Sequence, residues 1–408
     1  MTQSMPKHVL DGYKVLDFTH YVAGPTVTRL MAEMGAEIIK IEAAPHGDQG
    51  RLVPYLRDKR SAYFVQQNRG KQSVCIDLRK PKGIEIVKAL VPKVDVMVEN
   101  FAPGVIASMG LAYEDVRALN PKIVMCSVST FGQTGPLSKD PGFDFIGQAY
   151  AGITSLIGEK DGPPYVPMVA MGDISTGVHA ACAVGYALLH RERTGQGQYV
   201  EASLLDSYFH YQDLAVQLYS ASGGAQELTR SGMHHPSLCP TGTFKGKEHY
   251  IIIIAWLDSH WARLCQAMGK PELASDPRYA DIPSRWEHRH EVNALIEGWL
   301  NRMPSDEASI EAMRAARVPV APILSVREAM NHPHLRERGT VRTISDRLLG
   351  DFEVPGFPLR FSEFPKRLDL EAPLLGEHNE KILTEYLGYT PEMVKKLTVE
   401  GVLHSEPN

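Results

Sequence analysis

From Tyr13 onward the chain alternates between two hydrophobic rhythms. Short β-branched runs are followed by longer stretches with apolar residues at helical spacing. The runs YKVLDF from Tyr13, EIIKIE from Glu37, SVCIDL (Ser73–Leu78), VDVMVE (Val94–Glu99) and KIVMCSV (Lys122–Val128) are predicted strands. A helix is expected after Gly24-Pro25, because a proline in the first turn lacks only an N–H that would have no partner there. The same rhythm continues through an apolar helix from Thr176 to about His190, the turn Glu192–Gln198, the strand YVEAS and a helix from Leu204. Such alternation predicts an α/β fold, with a parallel sheet covered by helices on both faces.

Around Ser220–Gly224 the composition shifts to small residues, as at a linker. A separate module is expected to follow, with the run YIIIIAW as a buried strand and helices near His260–Met268, His290–Leu300 and Asp306–Ala316. Proline- and glycine-punctuated turns (Val354–Pro358, Pro373–Gly376) and two short helices close the chain. At 408 residues, two domains are the natural expectation.

Charge narrows the range of partners. The 43 basic and 48 acidic residues give a net charge of −5, which offers no broad attraction for nucleic acid or anionic lipid. Any phosphate must be held by a local site. The longest apolar run, Tyr250–Leu257, is far short of the ~20 residues that cross a bilayer. The first residues show no secretory pattern, and the five scattered cysteines form no CxxC pair. A soluble, cytoplasmic protein is therefore expected, with the cysteines as buried small hydrophobes. His234-His235 and His332 with His334 lack a third ligand at a recognisable spacing, so no metal is expected.

Two acidic positions carry candidate chemistry. Glu42, at the end of the second strand, stands where a nicotinamide enzyme would hold a ribose, but the loop after the first strand is THYVAGPT and lacks G-x-G-x-x-G. A dehydrogenase is thus disfavoured. Asp173 in VAMGDISTG follows an apolar segment and a glycine, directly before a small-residue helix start. Helix capping is the commoner role for such an aspartate, and a carboxylate offered to a ligand is the rarer one.

Five segments, in order, resemble the class III CoA-transferase family (CaiB/BaiF type, with formyl-CoA and carnitine CoA-transferases). They are DGYKVLDFTHYVAGP, GAEIIKIEAAPHGDQGR, VMVENFAPGVIASMGL, GFDFIGQAYAG leading to VAMGDISTG, and RTGQGQYVEASLLDS. The segment PLLGEHNEKILTEYLGY is similar to the family's last one. The resemblance implies that Asp173 is the nucleophile, forming an anhydride and then a CoA thioester. Gly172 would leave room for the acyl group and nearby backbone N–H groups would steady the oxyanion. It further implies CoA contacts from Ala23, Ile76, Leu78, Arg79, Asn100, Phe101 and Lys139, with Val22 beside the acyl group. A CoA thioester enters as substrate, a carboxylic acid is the acceptor, and no permanently bound cofactor is implied.

The architecture implied by the resemblance is a Rossmann-like large domain over 1–200, completed by 330–408, and a small α/β domain over 225–325. Linkers would occupy 201–224 and 326–329, and the subunits would interlock as ring-like homodimers. Departures matter too: Val22 replaces a glutamine of the formyl-CoA:oxalate enzymes, and Ala43 and Ser108 replace arginines, which makes oxalate and formate doubtful substrates. Arg51 or Lys71 could compensate as phosphate contacts. Related α-methylacyl-CoA racemases carry a histidine immediately before the aspartate matching Asp144, where this chain has Phe143. A racemase-type isomerase and a non-catalytic CoA-binding protein stand as the alternatives.

Overall fold

The structure, a computed structural model, describes residues 6–406. The expected strands form. They are β1 (Lys14–Asp17), β2 (Glu37–Ala43), β3 (Lys71–Ile76), β4 (Val96–Glu99), β5 (Val124–Ser129) and β6 (Gln198–Ser203), with β7 (Leu403–His404) at one edge. Their order is β7-β3-β2-β1-β4-β5-β6, parallel throughout except for the antiparallel β7. This is the order of a doubly wound dinucleotide-binding sheet, with its topological switch between β1 and β4.

Alternation along the strands feeds two cores. Val15, Ile38, Val96 and Val124 point to one face, where they meet α1 (Ala23–Glu33) and α3 (Met171–Thr194) through Val27, Met31, Ala180 and Val184. Leu16, Ile39, Met97 and Met125 point to the other, covered by the helices Pro81–Leu90, Asn379–Leu387 and Pro391–Val399. Burial on both faces explains why β4 and β5 read as near-continuous apolar runs. Helices α2 (Asp144–Tyr150) and α4 (Leu204–His210) pack against each other and against α3. A helical Gly177 lets α1 and α3 approach, since a Cβ there would lie 2.6 Å from the Thr26 Cβ and 2.7 Å from the Ala23 carbonyl oxygen.

The chain divides into two compact units. One holds Met1–Ala151, Met168–Tyr211 and Pro333–Asn408; the other holds Gly152–Pro167 and Gln212–His332. The edges differ from the expected ones in several places, the expected linker 326–329 and residues 330–332 belonging to the second unit. Residues 201–203, expected in a linker, are the end of β6 hydrogen-bonded to β5, and 152–167, expected in the large domain, pack with the second unit.

That second unit is built on a three-stranded antiparallel sheet of Val320–Pro322, Tyr250–Ile254 and Thr241–Lys245. The helices Asp258–Ala267, Arg289–Leu300 and Asp306–Ala315 complete its core around Trp261, Leu264 and Ile296. The run from Tyr250 is only half buried: Ile251 and Ile253 are sealed, whereas Ile252 and Ile254 stay 39% and 41% exposed. A single helical layer covers one face of this small sheet, so only alternate side chains find a core. Among the cysteines Cys182 is exposed on α3, while the other four are buried.

Candidate active site

A cleft of about 380 Å³ opens at the carboxyl end of the sheet, at the switch between β1 and β4. Its walls come from the loop after β1 (His20–Val22) with Ala23, the loop after β4 (Asn100–Pro103), Ser129–Phe131 after β5, Ser138–Phe143, and Asp173. Open α/β sheets bind ligands at this position, because two adjacent loops leave the sheet in opposite directions and cannot fill the space between them.

The loop after β1 is held from below by buried ions. Asp17 accepts from the Thr19 N–H (2.7 Å) and lies 3.0 Å from the Lys71 ammonium. Burial pushes the Asp17 carboxyl up, yet Lys71 and Lys40 outweigh it and hold it down at about 2. Lys40 donates to the Thr19 carbonyl and pairs with Asp48 at 3.0 Å; Asp48 in turn accepts from the Tyr21 N–H at 3.1 Å. So tethered, Tyr21 adopts a left-handed φ of 64°, a strained conformation for a tyrosine that persists only where the surroundings enforce it. Its ring packs edge-on against Phe143, with centroids 6.0 Å apart.

Arg51 and Lys71 are committed to this network. Arg51 forms a two-pronged pair with Glu42 (2.8 and 2.6 Å), and Lys71 serves Asp17 and Asn68. Both are buried, so the expected compensation by free phosphate-binding cations at these positions is not what they provide. Glu42 is likewise occupied, taking Arg51 and the Ser73 hydroxyl, and has no oxygen free for a ribose.

Beside the cleft, Asp173 sits in the first turn of α3, which begins at Met171 rather than Thr176. The carboxylate therefore lies inside the helix, and the N-cap residue is Ala170, which makes no side-chain cap. A second carboxylate stands beside this helix start: Asp144, at the start of α2, lies toward the backbone of Gly172 and Asp173 and accepts from the Tyr208 hydroxyl. Burial, and then the Asp144 charge, push the Asp173 carboxyl up to about 7.

The remaining expected residues divide sharply. Val22, Ala23, Asn100 and Phe101 line the cleft with Asp173. The Asn100 amide, however, is spent on the backbone of His20, and Glu99 anchors the Phe101 N–H at 2.8 Å, so of this motif the Phe101 ring is what remains available. Ile76, the last residue of β3, is sealed in the core, and Leu78, two residues beyond it, packs against that core. Arg79 lies just beyond β3 on the same carboxyl edge, 78% exposed at its side chain and paired with Asp77 at 2.8 Å. Lys139 is exposed between Ser138 and Asp140, which do line the cleft. Gly172 is buried: a Cβ there would lie 2.1 Å from the Tyr208 ring and 2.6 Å from Asp144, so its missing side chain makes room for these two groups.

Reading the sequence missed His20, Tyr208 and the roles of Asp144 and Asp48. His20 lines the cleft, and burial lowers its pKa, leaving a neutral imidazole there. An isolated histidine after a strand carries no pattern that would have marked it. Among the described residues, no group of three or more His, Cys, Asp or Glu could hold a metal ion, and no helix is long and apolar enough to cross a membrane.

Fold and cleft together define an α/β protein with a parallel-rich sheet and a carboxylate-bearing pocket at its switch point. Residues 10–379 match CoA-transferase family III. The chain is 35% identical over 99% of its length to succinyl-CoA–D-citramalate CoA-transferase of Chloroflexus aurantiacus, covering 100% of that protein. It is 34% identical over 97% of its length to succinyl-CoA:glutarate CoA-transferase of Mus musculus, covering 90% of it. A CaiB/BaiF family protein from Brucella suis superposes with a TM-score of 0.81 at 34% identity, over 93% of this chain and 100% of that one. The chain belongs to CoA-transferase family III, enzymes that act on CoA thioesters.

Proposed function

We propose that this enzyme moves CoA from an acyl-CoA to a carboxylic acid through covalent intermediates on Asp173. The observation that carries the proposal is the position of this carboxylate, in the first turn of α3 at the switch-point cleft, with no cation paired to it among the described residues. The Asp173 carboxylate attacks the thioester carbonyl, forming an aspartyl–acyl anhydride and expelling CoA thiolate. The thiolate then attacks the aspartyl carbonyl, giving an aspartyl-CoA thioester and releasing the donor acid. The acceptor carboxylate reverses both steps, so that CoA leaves on the new acid and Asp173 is regenerated.

In this reading Phe101 and Ala23 flank the thioester arm, Val22 borders the acyl group, and Asn100 shapes the loop that receives it. Arg79 meets the nucleotide phosphates at the exposed edge, with Lys139 nearer the cleft mouth. Dicarboxylates are the proposed acids, since the two relatives described above are named for succinyl-CoA with D-citramalate or glutarate. Homodimerisation belongs to the same proposal. The adjoining helices α2, α3 and α4 leave Phe145, Ile146, Ile174, Val178, Tyr186 and Phe209 exposed, apolar side chains that a second copy of the chain would cover. Light scattering at micromolar concentration should give twice the chain mass, and a monomeric mass with full activity rejects the dimer.

The test of the chemistry is trapping. Wild-type enzyme given succinyl-CoA and then hydroxylamine or borohydride should carry a mass change on the peptide containing Asp173, and Asp173→Ala should neither trap nor exchange. Exchange by Asp173→Ala within ~10-fold of wild type, a barrier change of only ~1.4 kcal/mol, rejects the covalent mechanism.

A further inference from the structure

We propose that Tyr208 is a positioning residue for the nucleophile, acting through Asp144 to set both the placement and the protonation of Asp173. The inference rests on the assignment of Asp173 as nucleophile. Three elements converge behind that residue. Tyr208 comes from α4 and is fully buried, Asp144 opens α2, and Gly172 with Asp173 forms the first turn of α3.

The phenol donates to the Asp144 carboxylate, and the Gln148 amide reaches the phenol oxygen at 3.3 Å. The ring lies directly on the Gly172 backbone, where even one methyl group would not fit. Asp144 thus receives the hydroxyl from α4 through one carboxylate oxygen, which also lies against Gly172 at the start of α3, while its other oxygen has no hydrogen-bond partner among the described residues. A buried phenol is costly to leave unpartnered, and so is a buried carboxylate. Each partner therefore locks the other, and together they fix the helix end that presents Asp173.

The charge held in this way stands behind the nucleophile. It adds to burial in keeping the proton of Asp173 tightly held, so that the carboxylate is formed near neutrality and is more basic than a solvated one. The other titratable groups facing Asp173 are the Tyr63 phenol, itself pushed up to about 12, and His20 and Asp140 in the cleft. None of these touches Asp144 in the way Tyr208 does. Removing the hydroxyl leaves Asp144 less able to hold its charge, and removing the charge relieves Asp173.

The experiment compares Tyr208→Phe and Asp144→Asn with wild type, using succinyl-CoA and glutarate, over pH 5 to 9. For Tyr208→Phe, kcat should fall by ~10-fold or more with the CoA-ester KM within about threefold, because a misplaced nucleophile loses rate without losing the binding contacts. For both variants the acid limb of kcat/KM should move to lower pH, further in Asp144→Asn. Trapping on Asp173 should persist in both, more slowly. An unchanged kcat and an unchanged acid limb in a folded Tyr208→Phe overturn the positioning role, while loss of trapping only in Asp173→Ala keeps the nucleophile assignment intact. Should Tyr208→Phe not fold, Asp144→Asn alone decides, and an acid limb that stays in place rejects the proposal. If Asp173→Ala retains exchange, the nucleophile assignment falls instead.

Discussion

The Asn100 side chain closes two hydrogen bonds on the backbone of His20, accepting from its N–H and donating to its carbonyl, both at 2.9 Å. The two residues are 80 positions apart and follow β4 and β1, so this amide bridges the switch point of the sheet. It holds the mouth of the cleft at a fixed width.

Replacing Asn100 with Ala should therefore harm shape before chemistry. Two backbone groups lose their partners, at a cost of ~1–3 kcal/mol, which thermal unfolding would register as a lower Tm. KM for the CoA ester should rise several-fold as the loop relaxes. A variant with unchanged Tm and KM would show that the bridge is dispensable.

The high proton affinity of Asp173 sets a pH dependence for both rate and stability. As nucleophile it must be ionised, so kcat/KM should climb as pH rises through about 7 and flatten above. For stability the sign is opposite. The folded carboxyl keeps its proton up to about 7, whereas an ordinary one loses it near 3.8, so the folded state binds the extra proton between these values. Stability from this group is complete below that window and is lost as pH rises through it. Asp173→Asn should accordingly be more stable than wild type at pH 8, by on the order of 1–2 kcal/mol, and show no such gain at pH 4. Denaturant unfolding at the two pH values measures both.

Arg79→Ala isolates binding from folding. Its guanidinium pairs with Asp77 and lies in solvent, and an exposed pair contributes little to stability. Tm should stay within a degree or two, while KM for the CoA ester rises severalfold and becomes less sensitive to salt. Isothermal titration with free CoA and with its dephosphorylated fragment would locate the lost contact. Equal affinities in wild type and variant would remove Arg79 from the CoA site.

Phe143 lines the cleft beside Asp173 and is 68% exposed, with no proton to give. Incubating a 2-methylacyl-CoA with the enzyme in deuterated water should leave the α-carbon unlabelled. Rapid enzyme-dependent incorporation would favour the isomerase reading and point to His20, the neutral imidazole in the same cleft.

Much of the fold was legible because burial writes itself locally. The six parallel strands are short runs rich in β-branched and apolar residues, and each formed within a few residues of its expected bounds. Helix α3 begins at Met171, ahead of the expected Thr176, because Met171-Gly172-Asp173 carries a glycine, a weak helix former, and the N-cap Ala170 offers no side-chain cap, so no local signal marks the start. The run Tyr250–Ile254 misled for a related reason: apolar sequence reports what could be buried, and only the layers present decide which face is. Ile76 and Arg79 show the same divide within four residues, one sealed in the sheet and one in solvent.

The amino-acid sequence by itself determined the strand and helix content, the two-unit character, the exclusion of a glycine-rich dinucleotide loop, and the ordered motifs that fix the family. These depend on residue type and short-range period, which a chain displays before it folds. Only the tertiary structure decided what each polar group does. Assembly of the sheet and its helices brings Asp17 against Lys71, Asn100 against His20, and Tyr208 against Asp144 across 64 residues. A charge or amide in sequence is free to be ligand, cap or catalyst, and the partner that removes this freedom arrives from a distant segment when the sheet is assembled.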